Sequence, residues 1–357
     1  MEKDSKIYVA GHRGLVGSAI AANLRRKGYT NIIGRTHAEL DLLDGVAVEK
    51  FFDEEKPEYV VLAAAHVGGI MANSLYRADF IWENLQIQQN VIGQSFRHGV
   101  KKLLFLGSTC IYPGNAPQPM KEDCLLTSSL EWTNEPYAIA KIAGMKMCES
   151  FNLQYGTNYI AVMPTNLYGP NDNFNLETSH VMPAMIRKMR LAALLNISDF
   201  DGIRADLRRR PVEGVGGDAS EDEILAILAK YGIRPDSLTL WGTGAPMREF
   251  LWSEDMADAS VYMLENVDFK DLRGENPQVR NCHVNIGTGT DLSIRELAEK
   301  VKATVGYRGQ VLWDATKPDG TMLKLCDVSK LHSLGWRHTV EIDEGIGRLY
   351  KWYLSNL

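Results

Sequence analysis

The chain has 357 residues, 45% of them hydrophobic and 24% charged, which is ordinary for a folded globular protein and long enough for a core domain with a second, smaller lobe. A net charge of -6 argues against nucleic acid or an anionic membrane surface as a partner. No apolar run approaches the ~20 residues of a membrane span, and Met1-Glu2-Lys3-Asp4 is not the start of a signal peptide. The five cysteines form no Cys-x-x-Cys pair and no metal-like cluster with histidine. A reducing, cytoplasmic setting with free thiols and no bound metal is therefore expected.

Ile7 to Ala10 is a short apolar run, followed by Gly11-His12-Arg13-Gly14-Leu15-Val16-Gly17 and then by the helical pattern Ser18 to Arg26. Strand, glycine turn and helix in that order form a dinucleotide fingerprint. The first glycine permits the turn, the second lets the backbone approach a pyrophosphate, and the third lets helix and strand pack closely, with phosphate at the positive helix end. The second strand, Asn31 to Gly34, ends at Arg35-Thr36-His37, where an enzyme using NAD carries an acid for the ribose hydroxyls. Two guanidinium groups, Arg13 and Arg35, suit a 2′-phosphate instead, so NADP(H) is the expected cofactor. Asp41-Leu42 is placed for the adenine, with Asp41 accepting from its amino group. His37 belongs to the same edge of the site.

Tyr59 to Ala65 reads as a buried strand, and the small residues from Ala63 onward leave room for the cofactor. Asn84, in a helix from about Ala78 to His98, stands out as a polar residue among apolar ones, with an ordinary exposed asparagine as the alternative reading. Lys102 to Gly107 is the next strand, with Leu106 and Gly107 at its cofactor end and Ser108-Thr109-Cys110 after it. Strands alternating with helices at this spacing predict an α/β fold, a doubly wound parallel Rossmann sheet with its site at the strands' carboxyl ends, and a smaller C-terminal α/β lobe for the substrate.

Tyr137-Ala138-Ile139-Ala140-Lys141 puts a phenol and an ammonium one turn apart on a helix face. A cation about 4 Å from the phenol, at an effective dielectric of ~20, is worth roughly 4 kcal/mol, or about three pK units towards neutrality. Such a tyrosine exchanges a proton with a carbonyl oxygen as hydride moves, and Ser108 is expected to meet it there.

Gly11 to Gly17, Ser108 and Tyr137 to Lys141 together resemble the extended short-chain dehydrogenase/reductases that act on nucleotide sugars. Ala63 to Gly69, Ser108 to Pro113, Asn134 to Gly144, Met163 to Gly169 and Pro246 to Phe250 look closer still to the branch that epimerises and reduces GDP-4-keto-6-deoxy-mannose. The resemblance implies that Ser108 and Tyr137 hydrogen-bond the C4 oxygen. Lys141 would lower the tyrosine's pKa and hold the nicotinamide ribose. Cys110 and His180 would move protons at C3 and C5, which the 4-ketone acidifies. Dehydratases of this superfamily carry an acidic pair where Cys110 and Ile111 stand here. Pro164, Thr165, Asn166 and Leu167 would lie under the nicotinamide, with His180 also near the cofactor.

The resemblance also makes the GDP-sugar substrate the chain's small-molecule partner. Lys188 and Arg248 are expected at its diphosphate, Trp241 at its guanine and Asp319 near the substrate. Another GDP-linked keto sugar, dideoxy or heptose, is an alternative, and a non-catalytic NADPH-binding module is a more distant one. Relatives bury the helices 78–98 and 136–154 in a homodimer, which is expected here too. The domain boundaries read as 1–175 plus about 245–282 for the cofactor, and 176–244 plus 283–357 for the substrate. Residues 196–240 read as an insertion, with Arg204 to Gly217 as a mobile connection. After it, Ser220 caps a helix whose apolar stripe is Ile224, Leu225, Leu228 and Tyr231.

Overall fold

The structure, a computed structural model, describes residues 1–275, 279–317 and 319–357. The chain divides into two compact units, the first Met1–Leu167, Glu249–Thr290 and Leu325–Thr339, the second Tyr168–Arg248, Asp291–Lys324 and Val340–Leu357.

In the first unit, β1 (Ile7–Ala10), β2 (Ile32–Ile33), β3 (Tyr59–Leu62), β4 (Lys102–Leu106) and β5 (Tyr159–Pro164) lie in one parallel sheet with the strand Val284–Ile286. The order is β2-β1-β3-β4-β5 followed by Val284–Ile286. The chain therefore reverses its direction of winding between β1 and β3, and a doubly wound sheet opens a crevice at such a point. Strand residues alternate strictly between two cores, because successive side chains point to opposite faces. Tyr8, Val60, Leu62, Leu103 and Phe105 face one core, shared with α2 (Gly45–Glu55), α4 (Arg77–Arg97) and α5 (Glu135–Tyr155). Ile7, Val9, Val61, Leu104 and Ile160 face the other, with Ile20 and Leu24 of α1 (Leu15–Arg26) and Met256 to Leu264 of the helix Ser253–Asn266. Between β3 and α4 lies the short α3 (Ile70–Leu75).

Two boundary expectations are corrected. Residues 283–290 do not start the substrate lobe, since Val284–Ile286 pairs with β5 as a sixth, wholly buried strand. Leu325–Thr339 also belongs to the first unit, where Leu331 and Trp336 enter its core. A three-residue strand, Val-Asn-Ile, is too short to show a period, so its place follows from pairing with a distant strand.

In the second unit, α6 (Val181–Asn196) is almost wholly buried along its length, and the strands Ser237–Trp241 and Gln310–Asp314 pair in parallel. The 204–217 stretch is not a loose connection. It begins inside α7 (Phe200–Arg209), and Asp206 on that helix is fully buried against the fully buried Arg187 of α6, at 2.9 Å from Nε. Tyr353 of the C-terminal helix Ile342–Ser355 donates to the other carboxylate oxygen of Asp206. Burial compels these polar groups to pair, and that closes the segment onto the unit. The capping box of α8 (Glu221–Lys230) forms between Ser220 and Glu223 as expected. Its buried stripe is Ile224, Ile227 and Leu228, while Leu225 is exposed, so the buried face lies on the Ile227 side of Ile224 and not on the Leu225 side.

Candidate active site

The glycine turn is built as its spacing dictates. Gly11 has φ +84, and a Cβ there would stand 2.8 Å from the Ala64 amide nitrogen. A Cβ on Gly17 would stand 2.1 Å from the Gly11 carbonyl oxygen, so both positions require glycine. Gly14 caps α1 without any side-chain hydrogen bond. The first amides of α1 are thus left for an anion, and the loop with its helix fits a dinucleotide pyrophosphate. Ala63 and Ala64 border this turn from the end of β3, and the Ala63 amide donates to the Ala10 carbonyl at 3.0 Å.

At the ribose edge the structure departs from expectation. Arg35 is already engaged: its guanidinium pairs with Glu55, donates to the Gly34 carbonyl at 3.0 Å and lies over the Phe51 ring. Arg13 is exposed and carries no ion pair among the described residues, so it is the available cation. His12 has its imidazole pushed to a lower pKa by desolvation and then by Arg13. A Cβ on Gly34 would stand 2.4 Å from that ring, which explains a glycine that ends the second strand. Asp41 accepts from the Leu43 amide at 2.9 Å and stands 3.7 Å from the exposed His37. Asn90 of α4 holds the same loop by donating to the Leu42 carbonyl at 2.8 Å. Sequence reasoning passed over Asn90, although a polar residue directly before buried Val91 and Ile92 is a usable signal.

Asn84 is likewise not exposed. It is 1% accessible, accepts from the His66 amide at 3.1 Å and donates to the His66 carbonyl at 2.9 Å. It clamps the loop after β3, and His66 itself meets Glu83 at 2.5 Å. Beyond β5, Thr165 and Asn166 both donate to the Glu249 carbonyl, at 3.3 and 2.8 Å. The fully buried Glu249 carboxylate in turn accepts from the Thr288, Gly289 and Cys326 amides at 2.6, 2.8 and 3.0 Å. This anchor under Pro164 to Leu167 was also missed.

Ser108, two residues past β4, is extended, and its Oγ accepts from the Cys110 amide at 3.2 Å. Gly107 has no room for a side chain, since a Cβ would stand 2.3 Å from the Met163 sulfur. Tyr137, on the first turn of α5, lies close enough to Ser108 and Cys110 for both to act on its phenol. Phe80 meets its ring edge-on. Burial works against the expected acidification of Tyr137 by Lys141. Desolvation and then Cys110 push the phenol above its usual range, opposed only by Ser108. Lys141 is lowered to about 7 by burial. Its Nζ donates to the Leu106 carbonyl at 2.9 Å and lies 5.7 Å from the Tyr137 ring centre. In a dry site, losing hydration costs each charged form more than their attraction returns.

The second unit holds the remaining candidates. His180 caps α6 without using its side chain for the cap, and its pKa is lowered by desolvation and then by Lys324. Lys188, on the same helix, is 9% exposed and lowered to about 8 by burial. Asp319 accepts from the Thr243 amide and hydroxyl at 2.9 and 2.6 Å. Those bonds lower its pKa, with Arg248 a smaller cause. Trp241 is 59% exposed, with the Lys317 ammonium over its ring. Among the described residues no group of histidine, cysteine and acidic side chains has the arrangement of a metal site. Among the same residues no helix is long and apolar enough to cross a membrane.

Comparison with known proteins agrees with this geometry. Residues 7–205 and 207–287 match the NAD dependent epimerase/dehydratase family. GDP-L-fucose synthase 1 of Arabidopsis thaliana is 51% identical over 356 residues, spanning 100% of this chain and 95% of that protein. The crystal structure of a GDP-6-OMe-4-keto-L-xylo-heptose reductase from C. jejuni superposes with a TM-score of 0.94 at 46% identity, covering 100% of this chain and 99% of the other. A GDP-mannoheptose C4 reductase from Campylobacter jejuni with NADP bound gives 0.87 at 45% identity, covering 99% of each chain.

Proposed function

Because the chain belongs to the NAD dependent epimerase/dehydratase family and, along its whole length, to the GDP-L-fucose synthases within it, we infer that it converts GDP-4-keto-6-deoxy-D-mannose to GDP-L-fucose. The enzyme is NADP-dependent. It inverts C3 and C5 and reduces the C4 ketone. The observation that carries the reading is the grouping of Ser108, Cys110 and Tyr137 at the end of β4, with Lys141 anchored behind them.

Bound NADPH supplies the hydride that C4 receives. Tyr137, kept protonated at neutral pH by its raised pKa, gives its proton to O4, and Ser108 donates to the same oxygen. The phenolate left behind is stabilised by the Lys141 ammonium, an interaction that gains strength only as charge develops. Before reduction, the ketone acidifies the C3 and C5 protons. Cys110 and His180 are the proposed pair that removes and returns them, with His180 kept neutral, and so able to accept, by its lowered pKa.

The test follows NADPH absorbance and deuterium incorporation in deuterated water with GDP-4-keto-6-deoxy-mannose. Oxidation with label at C3 and C5 is expected. Oxidation without label would mean a plain reductase. The TM-score of 0.94 to a keto-heptose reductase makes a GDP-linked keto-heptose the second sugar to supply. Tight NADPH binding without oxidation on either sugar would favour a binding module. Cys110→Ser is expected to cripple label exchange more than reduction of an already epimerised sugar.

A cytoplasmic homodimer is the proposed state. Trp82, Leu85, Ile139, Leu153 and Tyr155 are exposed on α4 and α5, an apolar surface that a second copy would cover. Light scattering is expected to give twice the 39.9 kDa of the chain.

A further inference from the structure

We propose that Tyr231, from the 196–240 segment, is a positioning residue that holds the Lys188 ammonium in place for the diphosphate of the substrate. The inference rests on the reading of Lys188 as a diphosphate ligand and assigns the segment a part in binding. Lys188 is 9% exposed, and among the described residues no carboxylate or carbonyl pairs with its Nζ. A buried ammonium without a partner is costly, and an anionic ligand is what completes it. Its neighbour is the Tyr231 ring, whose centre lies 5.8 Å from Nζ. An aromatic face attracts a cation without neutralising it, so the charge stays available to phosphate.

The ring is itself held. The Tyr231 hydroxyl donates to Glu213 Oε1 at 2.6 Å, and the same oxygen accepts from Lys230 at 2.7 Å. Glu213 sits in a tight turn closed by reciprocal Val212 and Val215 amide bonds of 3.0 and 2.8 Å. Glu213 has φ +47 and Gly214 φ +83. A left-handed glutamate is unfavourable by itself, and here that conformation delivers the carboxylate to Tyr231 and Lys230 while leaving Lys188 unpaired.

Calorimetric titration with GDP, alongside NADPH titration, tests the assignment. Tyr231→Leu is expected to weaken GDP about tenfold and Lys188→Met by at least as much, with NADPH affinity unchanged in both. Tyr231→Phe, which keeps the ring, is expected within about threefold of wild type. The double variant Tyr231→Leu with Lys188→Met is expected to bind GDP no worse than Lys188→Met alone, since both act through one ammonium. Tyr231→Leu within twofold of wild type, or losses that add in the double variant, would overturn the inference and leave the diphosphate reading standing. If Lys188→Met bound GDP normally, that reading and the inference would fall together.

Discussion

Lys141 donates to the Leu106 carbonyl at 2.9 Å, which ties the lysine of α5 to the end of β4. The bond holds the ammonium beside Tyr137 without pairing it with a carboxylate. Lys141 therefore stays sensitive to pH in a way that an ion-paired lysine is not.

Its lowered pKa, about 7, sets a pH dependence. Reduction at C4 is expected to slow as pH rises through that value, because deprotonated Lys141 no longer stabilises the developing phenolate. Lys141→Arg should abolish this fall, and Lys141→Met should lower kcat by about a hundredfold or more. The stability sign is opposite. Between the folded value and the usual lysine range the unfolded chain binds more protons, so this group makes the fold more stable as pH rises through that window. A pH profile of kcat with a pre-epimerised keto sugar checks the first point and urea midpoints the second. A rate flat across neutrality would remove Lys141 from the proton chemistry.

The two flanking glycines of the helix entry are expected to behave differently. Gly17→Ala places a methyl 2.1 Å from the Gly11 carbonyl oxygen, whereas the nearest atom to a Cβ on Gly14 is 3.5 Å away. Gly17→Ala should therefore abolish measurable NADPH binding, and Gly14→Ala should leave the thermal midpoint nearly unchanged. Fluorescence titration and thermal melts distinguish them. Equal effects would contradict the loop geometry.

Cofactor choice is expected to turn on Arg13 more than on Arg35, because Glu55 already pairs with Arg35. Arg13→Ala should cut the preference for NADPH over NADH about tenfold or more, and Arg35→Ala should cut it less. The ratio of kcat/KM values for the two cofactors reads this directly. A larger loss at Arg35 would show that its pairing with Glu55 yields to the phosphate.

Asp206→Asn would leave the fully buried Arg187 without its counter-charge. A loss of about 3–5 kcal/mol is expected, read as a lower urea midpoint. Tyr353→Phe, which removes one neutral donor to the same carboxylate, should cost less, about 1–2 kcal/mol. A marginal loss at Asp206 would mean that the 196–240 segment folds independently of its ion pair.

Much of the site was legible because its signals are local. The Gly11 to Gly17 spacing, the four-residue step from Tyr137 to Lys141 and the serine after β4 are consequences of turn, helix and strand geometry. They stand in the structure where those periods put them. Asn84, Asn90 and Glu249 were illegible for the opposite reason. Each satisfies backbone groups far away in sequence, His66, Leu42 and Thr288 to Cys326 respectively, and only packing brings those together.

The amino-acid order alone therefore determined the doubly wound sheet, the glycine cradle and the reactive residue types, since these follow from backbone conformation and nearest neighbours along the chain. Tertiary structure decided the protonation of Tyr137 and Lys141, the partner of Arg35, the place of Val284–Ile286 as a sixth strand and the company of Lys188. Desolvation and ion pairing depend on what surrounds a charge in three dimensions. In each of these cases the deciding neighbours are separated from it by many residues of chain.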